Sequence, residues 1–524
     1  MLGDIKILDC TLRDGGHIVD GKFGEDTIKY ILKKLVEAQI DIIEAGFLWD
    51  SACDKDSARY YTIEDVKKVL PKDKGVSHFS LMADYVDVDH LEPCDGTVEF
   101  IRLSFKRHRL DWGLNAARTL MNKGYKCYIN PVNCNVYTDE QYLDVLHKVN
   151  ELHPYGFSIV DTFGVMRCSD LSHVYYLVDH NLDPDIRIGV HLHENLGLAY
   201  SLAQHFLEIR NPKRNISIDG SLLGMGRVPG NLCIEQIMDH LNIEYGCSYS
   251  IEPALDAIDT YIAPIKAREP WGYSIPYSLS AKFGLHRTYA EYLAGRGRLT
   301  TKDIQRILSK VARSEAEMFN KEYIEGLYKQ YMNVEVDDTA DVEALSKELE
   351  SCAEVLVLAP GASIKERQDA IAEFGKEKDT CVISVNFKPD FLDVDYVFCT
   401  SAKRYDQINV PADKLLITSN LSNDNIEGRY MFSYNNLSYF DDIYCDDSTM
   451  MLLSLLKETG RSKISIAGFD GFNKNMMEAY FSAAEEGFAR EDRNKVISEC
   501  LKKQFHSITI DFLTPSVHEG YADA

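Results

Sequence analysis

ILDCTLRDGGH, residues 7–17, is the stretch from which the fold can be worked out. Its apolar start indicates a β-strand, and that strand runs into Arg13, Asp14, two glycines and His17. In parallel α/β folds, ligands bind outside the carboxyl ends of the strands. We therefore expect the charged end of this strand to be part of a binding site.

Seven further short apolar runs follow, separated by segments with helical periodicity. The first such segment, EDTIKYILKKLVEAQ, places Lys and Glu opposite an apolar face. Eight strand–helix units match a closed (β/α)8 TIM barrel better than an open sheet, and Arg13, Asp14 and His17 would then line its mouth. The eight runs span residues 5–9, 41–47, 76–83, 98–105, 126–132, 156–164, 186–193 and 216–222.

The pattern changes after the barrel. A helical stretch, in which Thr301 is predicted to start a helix, leads into the acidic, polar segment 333–345, which we interpret as a linker. Short buried-type strands then alternate with helical segments, which indicates an open, doubly wound sheet. The sequence thus predicts a barrel domain over 1–251, a helical extension and linker over 252–335, and a Rossmann-like α/β domain over 336–524.

The composition is that of a globular protein, with 45% hydrophobic and 27% charged residues. The formal net charge of −25 and the absence of a long Lys/Arg run argue against a nucleic-acid partner. The 13 cysteines include no C-x-x-C pair, so we expect reduced thiols in a cytoplasmic protein. Neither a signal-like leader nor a membrane-spanning apolar run is evident, so we expect no membrane association.

A second charged strand end lies in GVHLHENLG, residues 189–197. His191 and His193 are two residues apart on a strand, so both imidazoles leave the same face and can chelate one metal ion. Asp14, at the mouth end of the first strand, can supply a carboxylate. Glu44 ends the second strand in IIEAGF and can orient Arg13.

Three motifs, in order, resemble those of the DRE-TIM metallolyase superfamily: DCTLRDGGH, VHLHENLGLA and GMGRVPGN. This superfamily includes isopropylmalate and homocitrate synthases, hydroxymethylglutaryl-CoA lyase and 4-hydroxy-2-oxovalerate aldolase, and the resemblance extends over residues 1–290. It implies that Asp14, His191 and His193 are metal ligands and that Arg13 steadies an enolate. Asn231, which closes the third motif, matches a position that is a ligand in some members and lies behind the ligands in others.

Residue 17 distinguishes branches of the superfamily. The acyl-CoA synthases and the CoA lyase commonly carry Gln at this position. This chain carries His17, and in that respect its motif resembles that of the 4-hydroxy-2-oxovalerate aldolase branch. The resemblance implies that His17 is the general base at the 4-hydroxyl group, a task that suits an imidazole. That branch also has a functional tyrosine just after the barrel, for which Tyr273 and Tyr277 are both candidates.

The expected reaction is the divalent-metal-dependent cleavage or formation of a 4-hydroxy-2-oxo acid, from a 2-oxo acid such as pyruvate and an aldehyde. A carboxylate and two imidazoles with open water sites suit Mn²⁺ or Mg²⁺, while Zn²⁺ and Co²⁺ remain open. Alternatives are an acyl-CoA Claisen synthase or CoA lyase on the same barrel, and a non-catalytic metal scaffold. Because barrels of this kind often self-associate, we also expect a homo-oligomer.

The second domain adds a further alternative. EVLVLAPGASIKERQDAI predicts a strand, a glycine loop and a helix whose free N–H groups could face a phosphate. The domain faintly resembles bacterial sialyltransferase-type Rossmann-like domains, which implies that Ser363, Asn386 and Asp470 face a nucleotide or sugar phosphate. On this interpretation the second domain catalyses glycosyl or nucleotidyl transfer. The alternative interpretation is that the domain serves as a docking or dimerisation module.

Overall fold

A closed eight-stranded barrel forms the first part of the chain. β1 (Ile5–Asp9) pairs in parallel with both β2 (Ile42–Leu48) and β9 (Ile216–Gly220), which joins the two edges of the sheet. The TIM barrel predicted from the eight strand runs is confirmed. The computed structural model describes residues 2–52, 54–227, 229–377, 379–472, 477–479, 482–485, 491–506 and 508–520.

Helices follow seven of the eight barrel strands; between the strand His78–Asp84 and the strand Phe100–Phe105 the described residues form no helix, so one of the eight predicted strand–helix units lacks its helix. The barrel strands are buried on both faces, as parallel strands between a core and helices must be. The order around the ring is β1-β9-β8-β7-β6-β5-β4-β2. The remaining strands are β3 (Arg59–Tyr60, paired with the end of β2), β4 (His78–Asp84), β5 (Phe100–Phe105), β6 (Lys126–Pro131), β7 (Gly156–Asp161) and β8 (Arg187–Leu192). The helices are α1 (Glu25–Glu37), α2 (Ile63–Lys67), α3 (Leu110–Asn122), α4 (Asp139–Leu152), α5 (Cys168–Asn181), α6 (Ala199–Ile209), α7 (Ile234–Tyr245), α8 (Ile251–Ala257), α9 (Ala263–Arg268) and α10 (Ile275–Lys282).

The chain divides into two compact units, Met1–Arg287 and Thr288–Ala524. Since α8 packs against α1, the helices just after the barrel belong to the first unit. The boundary therefore falls inside the segment 252–335 that the sequence predicted as a helical extension. No helix among the described residues is both long and apolar enough to cross a membrane.

The second unit contains an open, seven-stranded parallel sheet, in agreement with the predicted Rossmann-like domain. Its order is β14-β13-β12-β11-β10-β17-β20, so the chain builds outward from β10 and then returns to β10's other side. The seven strands are β10 (Glu354–Leu358), β11 (Thr380–Val385), β12 (Tyr396–Cys399), β13 (Leu415–Thr418), β14 (Tyr430–Phe432), β17 (Lys463–Ala467) and β20 (Thr509–Phe512). Two further pairs lie outside this sheet: β15 (Tyr439–Phe440) with β16 (Ile443–Tyr444), and β18 (Met477–Ala479) with β19 (Ser482–Glu485). The helices are α11 (Thr288–Ala294), α12 (Thr301–Leu308), α13 (Lys321–Met332), α14 (Thr339–Leu349), α15 (Gln368–Gly375), α16 (Ala402–Tyr405), α17 (Tyr434–Ser438), α18 (Ser448–Glu458) and α19 (Glu491–Gln504).

The structure confirms one predicted boundary here and corrects another. α12 starts at Thr301, because Thr300 caps it by accepting from the backbone N–H of Asp303. The predicted linker 333–345 is wrong over its second half, where α14 begins. Leu345 and Leu349 lie four residues apart and are both buried, and this apolar pair outweighs the acidic composition of the segment.

Candidate metal centre and active site

Three side chains converge at the carboxyl ends of β1 and β8. Asp14 follows β1 after a short turn, His191 lies on β8, and His193 comes just after that strand ends. Their candidate ligand atoms all lie within 4.8 Å of one another. The structure thus brings the three residues predicted as metal ligands into one cluster that could hold a divalent ion.

A hydrogen bond behind His193 and a short contact behind His191 indicate which ring nitrogen faces the cluster. Nδ1 of His193 lies 2.9 Å from the backbone oxygen of Asp161 and donates to it, and Nδ1 of His191 lies 3.2 Å from Oδ2 of Asp219. In each ring Nε2 is left for a metal, as is usual for metal-binding histidines. Burial, together with the neighbouring His191, lowers the pKa of His193 to about 4, so the ring is neutral at pH 7 and able to ligate.

Asn231 lies directly beside Asp14. Its Nδ2 donates to Oδ2 of Asp14 at 2.7 Å and to the backbone oxygen of Met225 at 3.2 Å. Its Oδ1 is buried and has no hydrogen-bond partner among the described residues. A buried amide oxygen without a partner is costly, and a metal ion would satisfy it.

Gly226 makes room for this arrangement. A Cβ on Gly226 would lie 2.3 Å from Nδ2 of Asn231 and 2.7 Å from Oδ2 of Asp14. No side chain fits at this position while both residues keep their places. One glycine of the GMGRVPGN motif is therefore required by the site itself.

Arg13 is held by two carboxylates at the floor of the mouth. Its Nε donates to Glu44 at 2.6 Å and its Nη1 donates to Asp14 at 2.7 Å, and all three side chains are buried. Burial alone would raise the pKa of Asp14, but the guanidinium of Arg13 and the two histidines hold it far below its usual range. Asp14 is thus ionised, and Glu44 contacts Arg13, the residue that it was predicted to orient.

Arg102, which the sequence analysis did not single out, joins the two halves of the site. It lies on β5 and donates to Glu44 at 3.2 Å, to Asn130 at 3.1 Å and, through a short contact, to Asp219. Glu44 holds Arg13 and Asp219 contacts His191, so one buried guanidinium links the arginine to a candidate ligand. Its only sequence signal is a charge inside the apolar run FIRLSF, residues 100–105.

The residues present fit a divalent cation. This buried network holds two guanidinium groups against the carboxylates of Asp14, Glu44 and Asp219, which leaves one negative charge over. A divalent ion would offset that charge. Carboxylate, imidazole and amide oxygen donors are those that borderline and hard divalent metals accept.

A protein-family model described as HMGL-like matches residues 4–261. The barrel belongs to the HMGL-like family. The resemblance to the DRE-TIM metallolyases drawn from the three motifs is thereby confirmed.

Relatives of the HMGL-like domain catalyse different reactions. Oxaloacetate decarboxylase of Mycobacterium tuberculosis is 23% identical over 59% of this chain and 91% of its own length. A probable 2-isopropylmalate synthase of Methanosarcina acetivorans is 26% identical over 47% of this chain and 48% of its own length. 4-Hydroxy-2-oxovalerate aldolase of Geobacillus genomosp. 3 is 22% identical over 48% of this chain and 78% of its own length. The family is therefore that of a lyase or synthase, and several reactions are represented in it.

His17 lies at the open side of the HMGL-like site. It is exposed, three residues after Asp14, and its ring packs edge-to-face on Phe47 with centroids 5.6 Å apart. The loss of hydration on the packed face, with Arg13 nearby, lowers the pKa of His17, while Asp14 opposes the shift. His17 is thus neutral near pH 7 and reachable by a substrate.

The two candidate tyrosines lie in the segment that follows α9. Tyr273 is exposed and close to the β8–α6 loop, because a Cβ on Gly197 would lie 3.7 Å from its ring. Tyr277 is half-buried on α10. Trp271 ties the segment to the GMGRVPGN loop by donating from Nε1 to the backbone oxygen of Leu223 at 2.9 Å. The segment therefore packs over the same loop that carries Asn231.

His286 is a further mouth residue that the sequence analysis missed. Its ring meets that of Phe163, just after β7, edge-to-face at 6.2 Å. Burial together with the positive charges of Arg227, Arg287 and Lys106 lowers its pKa to about 4. Helix and strand periodicity in the sequence does not show that a residue after α10 contacts a residue next to a barrel strand. His286 therefore could not be recognised from the sequence pattern.

In the second unit, two of the three predicted ligand-facing residues meet. The backbone N–H and the hydroxyl of Ser363 donate to the carboxylate of Asp470 at 2.9 and 2.5 Å. Asn386 instead bonds to Thr400, accepting from its N–H at 2.9 Å. The N–H of Ser363 that a phosphate would need is therefore already bonded to a carboxylate.

Proposed function

We propose that the HMGL-like domain is a divalent-metal-dependent aldolase that cleaves or forms a 4-hydroxy-2-oxo acid from pyruvate and an aldehyde. The observation that carries the proposal is the position of His17, exposed in the short turn that follows the Arg13–Asp14 pair, with its backbone N–H donating to the backbone oxygen of Asp14 at 3.1 Å. Asp14, His191 and His193, with Asn231 beside them, would hold the metal. Mn²⁺ or Mg²⁺ suits this donor set, and when bound it supplies Lewis-acid polarisation of the oxo acid.

Arg13 stabilises the negative charge that develops during cleavage. Its Nε and Nη1 are bonded to Glu44 and Asp14, which leaves Nη2 to donate to the oxygen at carbon 2 of the substrate. Because Glu44 and Asp14 fix the guanidinium, little reorganisation is needed when the enolate forms. Arg13 thus acts on the transition state.

His17 handles the proton. As neutral imidazole it takes the proton from the 4-hydroxyl, the bond between carbons 3 and 4 breaks, and the electron pair passes into the enolate. The aldehyde leaves, and protonation at carbon 3 gives pyruvate. In the synthetic direction the same imidazole, now protonated, returns the proton to the new hydroxyl oxygen.

Oxaloacetate decarboxylation is the second candidate, favoured by the extent of the match to the mycobacterial decarboxylase. It produces the same pyruvate enolate, so Arg13 and the metal ligands would serve both reactions. It involves no hydroxyl proton, and His17 would have no task in it. Aldol cleavage therefore requires His17, whereas decarboxylation does not.

The test is pyruvate release with Mn²⁺ from 4-hydroxy-2-oxovalerate and from oxaloacetate, measured on the wild type and three variants. Asp14→Ala is expected to abolish the reaction because it removes a ligand. His17→Ala is expected to lower aldol cleavage by about 10²-fold or more, the size of a general-base contribution. His173→Ala, on an exposed histidine of α5, is the control.

Loss of aldol cleavage in both site variants, with normal rates in the control, would support the aldolase. Activity on oxaloacetate alone, unaffected by His17→Ala, would replace it by the decarboxylase. Release of pyruvate from neither compound, although Mn²⁺ binds, would contradict both and favour acyl-CoA condensation.

A further inference from the structure

We propose that the interior of the barrel, beneath the metal centre, binds ordered water between Ser158, Ser217 and the free carboxylate oxygen of Asp219. This water completes the hydrogen bonding of the carboxylate that lies behind His191. The inference does not depend on which reaction the site catalyses, because it concerns only the support of a candidate metal ligand.

Small residues line the inside of the barrel on β7, β8 and β9. Asp219 on β9 reaches Arg102 on β5, the strand opposite in the ring, so its side chain points into the interior. Side chains two residues apart on a strand share a face, so Ser217 faces inward as well. Gly189 and Ser158 lie in register with Ser217 on the next two strands. TIM-barrel interiors are normally filled by bulky branched side chains, whereas glycine and serine take up little of this space.

Two serine hydroxyls flank the glycine of β8. A Cβ on Gly189 would lie 2.9 Å from the Oγ atoms of both Ser158 and Ser217. Both oxygens are buried, and neither has a hydrogen-bond partner among the described residues. The hydroxyl of Tyr128, buried too, comes near that of Ser217 without meeting hydrogen-bond geometry. Since a buried hydroxyl without a partner is costly, the cluster indicates a bound polar molecule.

The ion pair above the serines leaves one acceptor and one donor open. Oδ2 of Asp219 contacts both Arg102 and Nδ1 of His191. Oδ1 of Asp219 and Nε of Arg102 are buried and have no partner within the described part of the chain. A cation could bind the carboxylate oxygen but not the N–H group, and an anion could bind only the N–H group. Water donates and accepts, so it suits the whole cluster.

A high-resolution crystal structure of the full chain tests the site directly. We expect water density within hydrogen-bond distance, about 3.2 Å, of Oδ1 of Asp219 and of at least one of the two serine hydroxyls. Side chains that are rotated to bond with the protein instead, with no density between them, would overturn the inference.

Removal of the serine hydroxyls tests the same site in solution, because a wet and a dry interior predict opposite signs. Where water is bound, Ser158→Ala and Ser217→Ala each take a partner from it, and each should lower the melting temperature by about 2–4 °C. In a dry interior the same changes remove an unpartnered hydroxyl, so the melting temperature would rise or stay the same. Ser201→Ala, at an exposed position of α6, is the control. A rise or no change in both interior variants would overturn the inference.

Two further measurements concern the nature of the bound molecule and its role. A melting temperature that falls when K⁺ is replaced by choline at equal ionic strength would assign the site to a monovalent cation and overturn the choice of water. The double variant Ser158→Ala/Ser217→Ala should raise the Kd for Mn²⁺ by about 10-fold, as loss of an outer hydrogen-bond partner of a metal ligand does. An unchanged Kd would overturn the support of His191 by this water.

Discussion

The space left by Gly226 gives the sharpest test of the candidate metal centre. Gly226→Ala adds one methyl group at a point 2.3 Å from Nδ2 and 2.7 Å from Cγ of Asn231. Carbon contacts are normally at least about 3.5 Å, so the Asn231 amide would have to retreat by about 1 Å. Asp14, whose Oδ2 is also 2.7 Å from the new methyl group, would have to shift as well.

The expected magnitude follows from what that shift breaks. The 2.7 Å bond from Asn231 to Asp14 would be lost or lengthened, and both Asp14 and the unpartnered Oδ1 of Asn231 would leave their places. Loss of a group that orients a metal ligand typically weakens metal binding by about 10- to 100-fold. We therefore expect Gly226→Ala to raise the Kd for Mn²⁺ by about that factor.

Isothermal titration calorimetry of Mn²⁺ into the purified protein measures this directly and needs no substrate. Gly16→Ala is the control, because a Cβ there finds its nearest neighbours at an ordinary 3.6 Å. An unchanged Kd in Gly226→Ala, or equal weakening in both variants, would refute the placement of the metal between Asp14 and Asn231.

Three further predictions concern stability, and tryptophan fluorescence can follow them, because all three tryptophans lie in the first unit. Arg102→Met leaves Asp219 buried without its guanidinium partner and Glu44 with Arg13 alone. It should lower the free energy of unfolding by about 3–5 kcal/mol, whereas Arg118→Met, at an exposed position, should change it little. A loss below about 1 kcal/mol would contradict the buried network. Burial raises the pKa of Asp9 to about 7; the folded state therefore holds this proton more tightly than the unfolded state, and stability falls as pH rises toward 7. Asp9→Asn should reduce the slope of the unfolding free energy against pH, measured by urea unfolding between pH 4 and 7, by up to about 1.4 kcal/mol per pH unit. The same slope in wild type and variant would exclude Asp9 as the group with the raised pKa. Mn²⁺ at about 100 times its Kd should stabilise the wild type by about 2.7 kcal/mol, and Asp14→Ala should show no such gain in thermal melts.

The barrel and the ligand set could be predicted because each rests on a local pattern. Strands buried on both faces give short apolar runs, and eight of them leave one reasonable closed arrangement. His191 and His193 share a face through the two-residue period of a strand, and Asp14 follows a strand whose end must lie at the same rim. Local periodicity was therefore sufficient for these residues.

Glu44 was identified beside Arg13, but Arg102 and His286 could not be predicted because their partners are remote in the sequence. Arg102 meets Asp219 across 117 residues, and nothing in FIRLSF indicates which carboxylate an arginine inside a strand will find. His286 reaches the mouth only because the chain folds back after α10. In the second unit, α14 was missed since acidic composition concealed the buried pair Leu345 and Leu349. Tertiary contacts decide such cases.

The closure of the barrel by β1 also bears on how the protein folds. β1 needs β9, more than 200 residues away, before its second edge is paired. Contacts so distant along the chain form late and slowly, since a long loop must be ordered first. The bond between Asp14 and Asn231 spans 217 residues across this same seam. A metal ion held there would bind only chains in which β1 and β9 are already paired. Metal binding would therefore stabilise the closed barrel relative to chains that have not yet completed this last pairing.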